Sequence, residues 1–296
     1  PDRHPEAARA ARDRVLARMA RSGVISAEEA AAAMTEPAPA ARRPFPMLAA
    51  HLADRLRAEA PLAPVIATTL DAGLQARLER LAAEAVAGRE RLQAAILVAD
   101  HGTGAILAQV GSAGFMDGAR GGWVDLTEAP RSPGSTLKPL VYGLAFDRGL
   151  AHPETLVADR PGVFGGWAPE NADGLFRGEV RVRQALQWSL NLPAVRVLDR
   201  LGPAHLMAAL RRAGARPVLP EGGGEAGLAV ALGGVGLSLR DVAAVYAMLA
   251  RGGEAVALHA RSGEGPGSPR RVLGEAAAWQ VADILRDTPR PPGVMA

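Results

Sequence analysis

A serine and a lysine three residues apart, Ser135 and Lys138, carry the strongest chemical signal in this sequence. The chain has 34 basic residues, and Lys138 is the only lysine among them, so 34 − 1 = 33 are arginines. An arginine keeps its proton in a protein, whereas a desolvated lysine can lose it and act as a base. Residues three apart share one face of a helix, so the spacing predicts a serine nucleophile activated by lysine.

The residues just before Ser135 favour the same chemistry. Pro133-Gly134 is a turn signal, which places Ser135 at the N-terminus of the helix that follows. Free backbone N–H groups and the positive end of the helix dipole would stabilise an alkoxide there, and also the oxyanion formed when it attacks a carbonyl. The motif therefore predicts acyl transfer.

A second polar pair, Ser189 and Asn191, follows a segment that reads as a helix from about Val180 to Trp188. In a Ser-x-Asn turn the hydroxyl can relay a proton to a leaving amine, and the amide can orient the lysine and the substrate backbone. Alone, the pattern is that of an ordinary helix boundary. Together with Ser135 and Lys138, it predicts a single site.

The elements that must position these residues begin with two helices. Residues 5–21 form an arginine-rich amphipathic pattern, and Ser26 with Glu29 is a capping box that opens a helix to about Met34. Four prolines in residues 35–46 then break both patterns, which indicates a linker or a domain boundary.

Strand signals come next and helical signals dominate later. A strand is predicted at 65–70, a helix at 71–87, and a β-hairpin from 92–99 and 105–110. Helical periodicity runs from Ser135 to the end, with a helix at about 275–286 and Gly/Pro loops near 161–179, 215–227 and 261–269. Strands before helices predict an α+β fold, with a large helical region beside an antiparallel sheet.

The composition excludes several classes of protein. With 48% hydrophobic and 22% charged residues over 296 positions, the chain is neither disordered nor a membrane bundle, and no apolar run reaches the about 18 residues of a membrane span. Cysteine is absent, which excludes thiol chemistry, and the six histidines lack metal-ligand spacing, so no metal or cofactor is expected. The arginines form no basic run with interleaved aromatics, so no nucleic-acid partner is expected.

Longer segments resemble a known family. RSPGSTLKPLVYGLAFDRGL, HPETLVADRP, APENADG and VRQALQWSLNLPAVRVLDRLG together resemble the transpeptidase domain of class A penicillin-binding proteins, of the penicillin-binding protein 1C type. The resemblance covers most of the chain and implies the fold shared by penicillin-binding proteins and serine β-lactamases. Residues 46–296 would be the transpeptidase domain. Residues 1–45 would be the end of the preceding glycosyltransferase domain, with a linker.

The resemblance also implies an activity, D,D-transpeptidation. Ser135 would attack the D-Ala-D-Ala end of a peptidoglycan stem peptide, or a penicillin, with Lys138 as base. Ser189 and Asn191 would manage leaving-group protonation and substrate orientation. The partners would be stem peptides, lipid-linked precursors and β-lactams. The location would be the periplasmic side of the bacterial inner membrane, with a membrane anchor in the parent protein.

The loop that contains Trp167, Glu170 and Asn171 lies near the substrate cleft in this family, and we expect these residues to bind substrate. A simpler interpretation remains open for each of them. Glu170 and Asn171 would make loop hydrogen bonds. Trp167, like Phe164, Trp123 and Trp188, would pack in the interior.

The chain departs from the family at its third motif, Lys-Thr-Gly, which this sequence cannot contain because Lys138 is its only lysine. Arg261-Ser262-Gly263 is not accepted as a substitute, because it precedes the helix at 275–286 whereas the family's motif follows it. Since the sequence also starts with Pro1, without a signal peptide, we expect a fragment truncated at both ends and weakly active or inactive.

Two alternatives stay open. A β-lactamase of the same fold would need a carboxylate to hold the deacylating water. Glu221 and Glu225 lie in a glycine-rich loop and lack the Leu-Asn that would fix such a glutamate. A penicillin-sensing or scaffolding module would use the same pocket only for binding.

Overall fold

The computed structural model describes residues 3–37, 47–220 and 226–290. Most of the predicted linker, together with Glu221 and Glu225, lies outside these ranges. The chain divides into two compact units, residues 1–47 and 48–296. Within the described ranges, none of the helices has the length and apolar character needed to cross a membrane.

The N-terminal unit contains two helices, α1 (Pro5–Arg21) and α2 (Ala27–Thr35), and both predictions are confirmed. The capping box of α2 is formed as expected. The Glu29 backbone N–H donates to the Ser26 hydroxyl at 3.0 Å, and the Ser26 N–H donates to the Glu29 carboxylate at 2.7 Å. These bonds satisfy N–H groups that have no partner inside the helix.

The second unit begins with α3 (Ala50–Glu59), a helix that the sequence analysis missed. Next come α4 (Ala72–Ala85), capped by Asp71, and the antiparallel hairpin of β1 (Ile96–Ala99) and β2 (Ile106–Val110). The predicted strand at 65–70 is wrong as a regular strand. It forms one bridge, between Thr68 and Arg261. Thr69 bonds to two different segments, since its backbone N–H donates to the Ala260 carbonyl and its hydroxyl donates to the Ile106 carbonyl.

A large helical region follows. Its helices are α5 (Lys138–Asp147), α6 (Val182–Gln187), α7 (Asn191–Leu201), α8 (Pro203–Arg212), α9 (Leu239–Ala250) and α10 (Glu275–Arg286). Helix α5 is central, since every residue from Lys138 to Phe146 is buried and α6, α7, α8 and α10 pack around it. An all-round apolar sequence such as PLVYGLAF requires this position. It also carries Lys138 into the core.

Two small antiparallel hairpins complete the fold, β3 (Leu156–Asp159) with β4 (Gly178–Arg181), and β5 (Glu254–Ala255) with β6 (Arg270–Arg271). The pair of β3 and β4 holds both ends of the loop that contains Trp167, Glu170 and Asn171. The helix predicted from Val180 begins instead at Val182, because Val180 and Arg181 belong to β4. The α+β expectation is confirmed, although the described sheets have only two strands each.

Candidate active site

The segment before α5 presents Ser135 at the surface. Ser135 lies in a short 3-10 helix, Gly134–Leu137, rather than in the α-helix that the sequence predicted. The two elements join directly, since the Lys138 backbone N–H donates to the Ser135 carbonyl. The Thr136 hydroxyl adds a bond of 2.6 Å to the Pro133 carbonyl, which fixes the turn. Ser135 is exposed, whereas Lys138, one turn later, is buried.

A glycine from a distant segment holds this turn in place. The Ser132 hydroxyl donates to the Gly233 carbonyl at 2.7 Å. A β-carbon on Gly233 would lie 2.3 Å from the Gly134 nitrogen, closer than van der Waals contact allows, and the φ of Gly233 is +93°. Both facts require glycine at this position. Sequence reasoning did not single out Gly233, although its glycine pair with Gly234 was a visible signal.

The Lys138 amine is enclosed by uncharged oxygen atoms. Its Nζ lies 2.5 Å from the Ser189 carbonyl oxygen, 3.1 Å from the Ser189 hydroxyl and 2.7 Å from the Asn191 side-chain oxygen. Only 1% of the residue is exposed, and burial lowers the pKa of Lys138 to about 8. No carboxylate bonds to the amine among the described residues, so only hydrogen bonds to neutral oxygens offset the cost of burying its charge there.

The arrangement suits a base that works near neutral pH. An ammonium would donate to all three acceptors, whereas a neutral amine donates to two of them and accepts a hydrogen bond from the Ser189 hydroxyl. Proton exchange between Lys138 and Ser189 therefore needs no movement of heavy atoms. Within the described residues, the hydrogen bonds of the amine reach Ser189 and Asn191 but not the Ser135 hydroxyl. Such contacts are often long in structures without substrate.

Ser189 occupies its place because α6 ends in a Schellman motif. The Ser189 N–H donates to the Leu186 carbonyl at 3.0 Å, and the Leu190 N–H donates to the Ala185 carbonyl at 2.9 Å. This motif places its C′ residue in the left-handed region, and Ser189 has a φ of +53°. Glycine normally takes this position, so a serine there stores strain. The turn aims both Ser189 oxygens at Lys138.

Asn191 is the first residue of α7 and is held at three points. Its side-chain oxygen accepts from Lys138, its side-chain nitrogen donates to the Glu170 carbonyl at 2.7 Å, and its backbone N–H donates to the Asn171 side-chain oxygen at 2.7 Å. The loop between β3 and β4 therefore sets the orientation of the amide. That orientation directs an oxygen, rather than an N–H group, at the lysine.

The support continues to a buried acid, Asp159, at the end of β3. The Asn171 side-chain nitrogen donates to both Asp159 oxygens, at 2.8 and 3.1 Å, and the Arg177 backbone N–H adds a bond of 2.9 Å. Asp159 is fully buried. A carboxylate that accepts backbone and amide N–H bonds fixes its donors firmly. The sequence analysis did not identify Asp159.

The structure brings Lys138, Ser189 and Asn191 together and places Ser135 one turn from the lysine. The expected substrate-binding residues behave differently. Asn171 is buried, and its polar atoms bond internally. Glu170 contributes its backbone carbonyl, and its side chain is exposed.

The aromatic residues also differ from one another. Trp167 exchanges backbone hydrogen bonds with Phe164 and packs, partly buried, against the main core. Trp188, which precedes Ser189, is 47% exposed, and the Arg177 guanidinium lies 5.9 Å from the centre of its ring. The packing interpretation is therefore wrong for Trp188, and it is also wrong for the exposed Trp123.

The rejected segment Arg261-Ser262-Gly263 is bonded elsewhere. Arg261 pairs with Glu59, and the Ser262 hydroxyl donates to the Thr68 carbonyl. Its hydrogen bonds therefore reach α3 and the 65–70 segment, among the residues described, and none joins it to the lysine site.

Sequence comparison assigns the family. The profile described as "Penicillin binding protein transpeptidase domain" matches residues 94–294, which include Ser135, Lys138, Ser189 and Asn191. The chain belongs to this family. The predicted resemblance and fold class are therefore confirmed.

Individual relatives agree with the family. The chain is 43% identical to penicillin-binding protein 1C of Escherichia coli K12 over 293 residues, which are 98% of this chain and 38% of that protein. It is 36% identical to penicillin-binding protein 1A of Neisseria gonorrhoeae over 183 residues, 59% of this chain and 22% of the relative. The chain therefore spans well under half the length of these class A penicillin-binding proteins.

The solved structure of PonA1 from Mycobacterium tuberculosis in complex with penicillin V has the same fold. The TM-score is 0.67, and the alignment covers 80% of this chain and 70% of PonA1 at 22% sequence identity. At this identity the likeness concerns the fold alone.

Proposed function

We propose that this chain is a peptidoglycan D,D-transpeptidase domain that works through a covalent acyl-serine. Ser135 is the nucleophile and Lys138 is the base. The Ser189 hydroxyl relays protons, and the Asn191 amide orients the Lys138 amine. The observation that supports this most is the buried Lys138 amine, with a pKa near 8 and three uncharged oxygen partners. A buried lysine that served only stability would gain from a carboxylate partner.

In the first half-reaction, the neutral Lys138 amine takes the proton of the Ser135 hydroxyl as the oxygen attacks the penultimate D-alanine carbonyl. The tetrahedral intermediate carries its negative charge on the carbonyl oxygen. As the C–N bond breaks, the Lys138 ammonium passes a proton through the Ser189 hydroxyl to the leaving D-alanine amine. Lys138 is then neutral again, and the acyl group is esterified to Ser135.

The second half-reaction reverses these roles. An amine from a neighbouring stem peptide attacks the ester and gives up a proton through Ser189 to Lys138. The lysine returns that proton to the Ser135 oxygen as the ester bond breaks. A penicillin would follow the first half-reaction, but its opened ring stays attached, so the enzyme remains acylated.

The domain assignment is a further part of the proposal. Residues 46–296 form the transpeptidase domain, and residues 1–45 are the end of a glycosyltransferase domain with its linker, which agrees with the compact units at 1–47 and 48–296. Synthesis of cell wall from lipid-linked precursors, and anchoring at the periplasmic side of the inner membrane, would belong to the whole protein.

The missing Lys-Thr-Gly sequence affects the rate. In this family that motif lies on a strand that supplies a second oxyanion donor, and removal of one such donor costs about 10²- to 10³-fold. We therefore expect slow acylation of the 296-residue chain.

The test is covalent labelling by a fluorescent penicillin, followed by mass spectrometry of the labelled peptide. We expect the label on Ser135 and none in Ser135→Ala. The matched control is Ser262→Ala, which removes a hydroxyl that bonds to the Thr68 carbonyl instead. Both variants and the native chain should share one melting temperature.

The other outcomes discriminate between the alternatives. If Ser135→Ala were still labelled, the nucleophile would be another residue. Steady turnover of a chromogenic β-lactam would indicate a β-lactamase. Acylation of the full gene product without cross-linking of stem peptides would indicate a penicillin-sensing module.

A further inference from the structure

A polar cavity of about 400 Å³ lies in the second unit, apart from the lysine site. Three arginines from separate parts of the chain meet there around Glu128, namely Arg55 of α3, Arg240 of α9, and Arg216 from the loop after α8. We call these four residues, with the cavity that they line, the arginine pocket. The volume suits a small ligand, because ligand sites typically measure about 300 to 1,000 Å³.

The three guanidinium groups share one carboxylate. Arg55 contacts Glu128 directly, Arg240 lies 3.5 Å from it, and Arg216 lies 3.9 Å from it. No other carboxylate forms an ion pair with these arginines within the described ranges. Three positive charges therefore face one negative charge, a surplus that disfavours the empty pocket.

Two of the arginines are fixed by additional bonds. Arg55 donates to the Gln109 side-chain oxygen at 3.2 Å, and Arg240 donates to the Leu258 carbonyl at 2.5 Å. Burial, together with the like charges of Arg55 and Arg216, lowers the pKa of Arg240, although Glu128 opposes this. The positively charged wall is therefore formed before any ligand arrives.

Arg216 differs from the other two. Its side chain is 80% exposed, and its single ion pair among the described residues is the 3.9 Å contact with Glu128. Its N–H donors are therefore available to an arriving anion. An exposed guanidinium therefore lies beside two that are fixed by hydrogen bonds.

The rest of the lining limits the charge that the pocket accepts. Arg261 pairs with Glu59 at 3.0 Å, and Glu264 lies on the same wall. Counting all ionised side chains gives four arginines and three glutamates, a net charge of 4 − 3 = +1. A single negative charge therefore neutralises the pocket.

We propose that the arginine pocket binds a phosphoryl group. Guanidinium groups are charge-assisted donors that match the oxygen atoms of phosphate, and three of them line this one cavity. The group could arrive as free phosphate or as a phosphate ester. The proposal concerns a different surface from Ser135 and does not depend on the transpeptidase assignment.

The experiment is titration calorimetry of the full chain with inorganic phosphate, pyrophosphate and acetate, against sodium chloride at equal ionic strength. We expect saturable binding of phosphate or pyrophosphate. Arg216→Ala should weaken it about tenfold, since it removes charge-assisted hydrogen bonds, and Arg216→Glu should abolish it. Because Arg216 is exposed, neither variant should lower the melting temperature by more than a degree or two.

The matched controls are Arg80→Ala and Arg80→Glu, which change an exposed arginine of α4 that does not line the pocket. Both should bind phosphate as the native chain does. Tighter binding of pyrophosphate than of phosphate would favour an ester or diphosphate as the source. Equal affinity for acetate and phosphate would overturn the ligand class. Equal loss in the Arg80 and Arg216 variants, or no heat beyond that of sodium chloride, would overturn the site.

Discussion

The lysine site and the arginine pocket hold positive charge in opposite ways. Lys138 contacts only uncharged oxygens, and burial lowers its pKa to about 8. Arg55 and Arg240 share the carboxylate of Glu128. In one case the protein makes a proton easy to remove, and in the other it concentrates permanent charge. The residue type, together with the partners around it, decides between a base and an anion site.

The same contrast holds for the acids of the two regions. Asp159, behind the lysine site, accepts hydrogen bonds from an amide and a backbone N–H group. Glu128 accepts from guanidinium groups. Neutral partners hold Asp159 and thereby orient the chain of bonds that ends at Lys138. Charged partners make Glu128 the centre of an electrostatic cluster.

The strongest test of this contrast replaces Lys138 by arginine, the residue type of the pocket. Lys138→Arg keeps a positive charge but removes the dissociable proton, so penicillin acylation at Ser135 should fall by about 10³-fold. The measurement is the acylation rate under pseudo-first-order conditions. Arg80→Lys, a reciprocal exchange on the surface, should leave the rate unchanged. A Lys138→Arg variant that acylates at the native rate would refute the role of lysine as base.

The pH dependence of the acylation rate tests the protonation state of Lys138. Only neutral Lys138 can accept the serine proton, so the acylation rate should rise about tenfold per pH unit below pH 8 and level off above it. Arginine keeps its proton throughout this range, so the guanidinium groups of the pocket contribute no such pH dependence. A flat acylation profile between pH 6 and 9 would contradict the lowered pKa.

The free energy of unfolding also depends on the pKa of Lys138. Between about pH 8 and the ordinary lysine value of 10.5, an unfolded chain keeps the Lys138 proton and the folded chain has lost it. The unfolded state then binds more protons, so the free energy of unfolding gains a term that increases with pH in this range. Urea titrations of the native chain and Lys138→Arg should diverge there, since arginine has no such term.

A smaller effect is expected at the acid behind the site. Asp159→Asn replaces the carboxylate by an amide of the same shape. The substitution weakens the hydrogen bonds to Asn171, and Asn191 is then held less firmly. We expect an acylation rate about tenfold lower. The rate-against-pH midpoint should also shift, because the partners of Lys138 move. If the variant had a lower melting temperature but an unchanged acylation rate per folded molecule, Asp159 would have only a structural role.

The smallest effect concerns backbone strain, which the lysine site has and the residues of the arginine pocket lack. Ser189→Gly relieves the left-handed conformation at the end of α6 and should raise the free energy of unfolding by about 1 kcal/mol relative to Ser189→Ala. Both variants lose the hydroxyl and should transfer acyl groups slowly. If Ser189→Ala were the more stable of the two, strain at this turn would be refuted.

Much of the lysine site could be predicted because its chemistry is local. Ser135 and Lys138 lie within one helical turn, and Ser189 and Asn191 lie at one helix boundary. The motifs and the local helix signals therefore predict the same positions for these residues. The rarity of lysine in an arginine-rich chain added independent support. The capped helix α2 was found for the same reason, since its signal lies in adjacent residues.

The features that sequence reasoning missed depend on contacts between distant segments. Gly233 is required by its closeness to Gly134, about a hundred residues earlier in the chain, and Asp159 acts on Lys138 only through Asn171 and Asn191. The segment at 65–70 looked like a strand, but its partners are irregular. The arginine pocket could not be predicted from the sequence, because its arginines lie in separate segments and meet only in the folded structure.

Helix α5 makes Lys138 useful as a reporter. Its side-chain amine is the one such group in the sequence, and only 1% of the residue is exposed. An amine-directed reagent can therefore modify it only when the surroundings of the amine open. The rate of that modification therefore measures how often the centre of the domain opens.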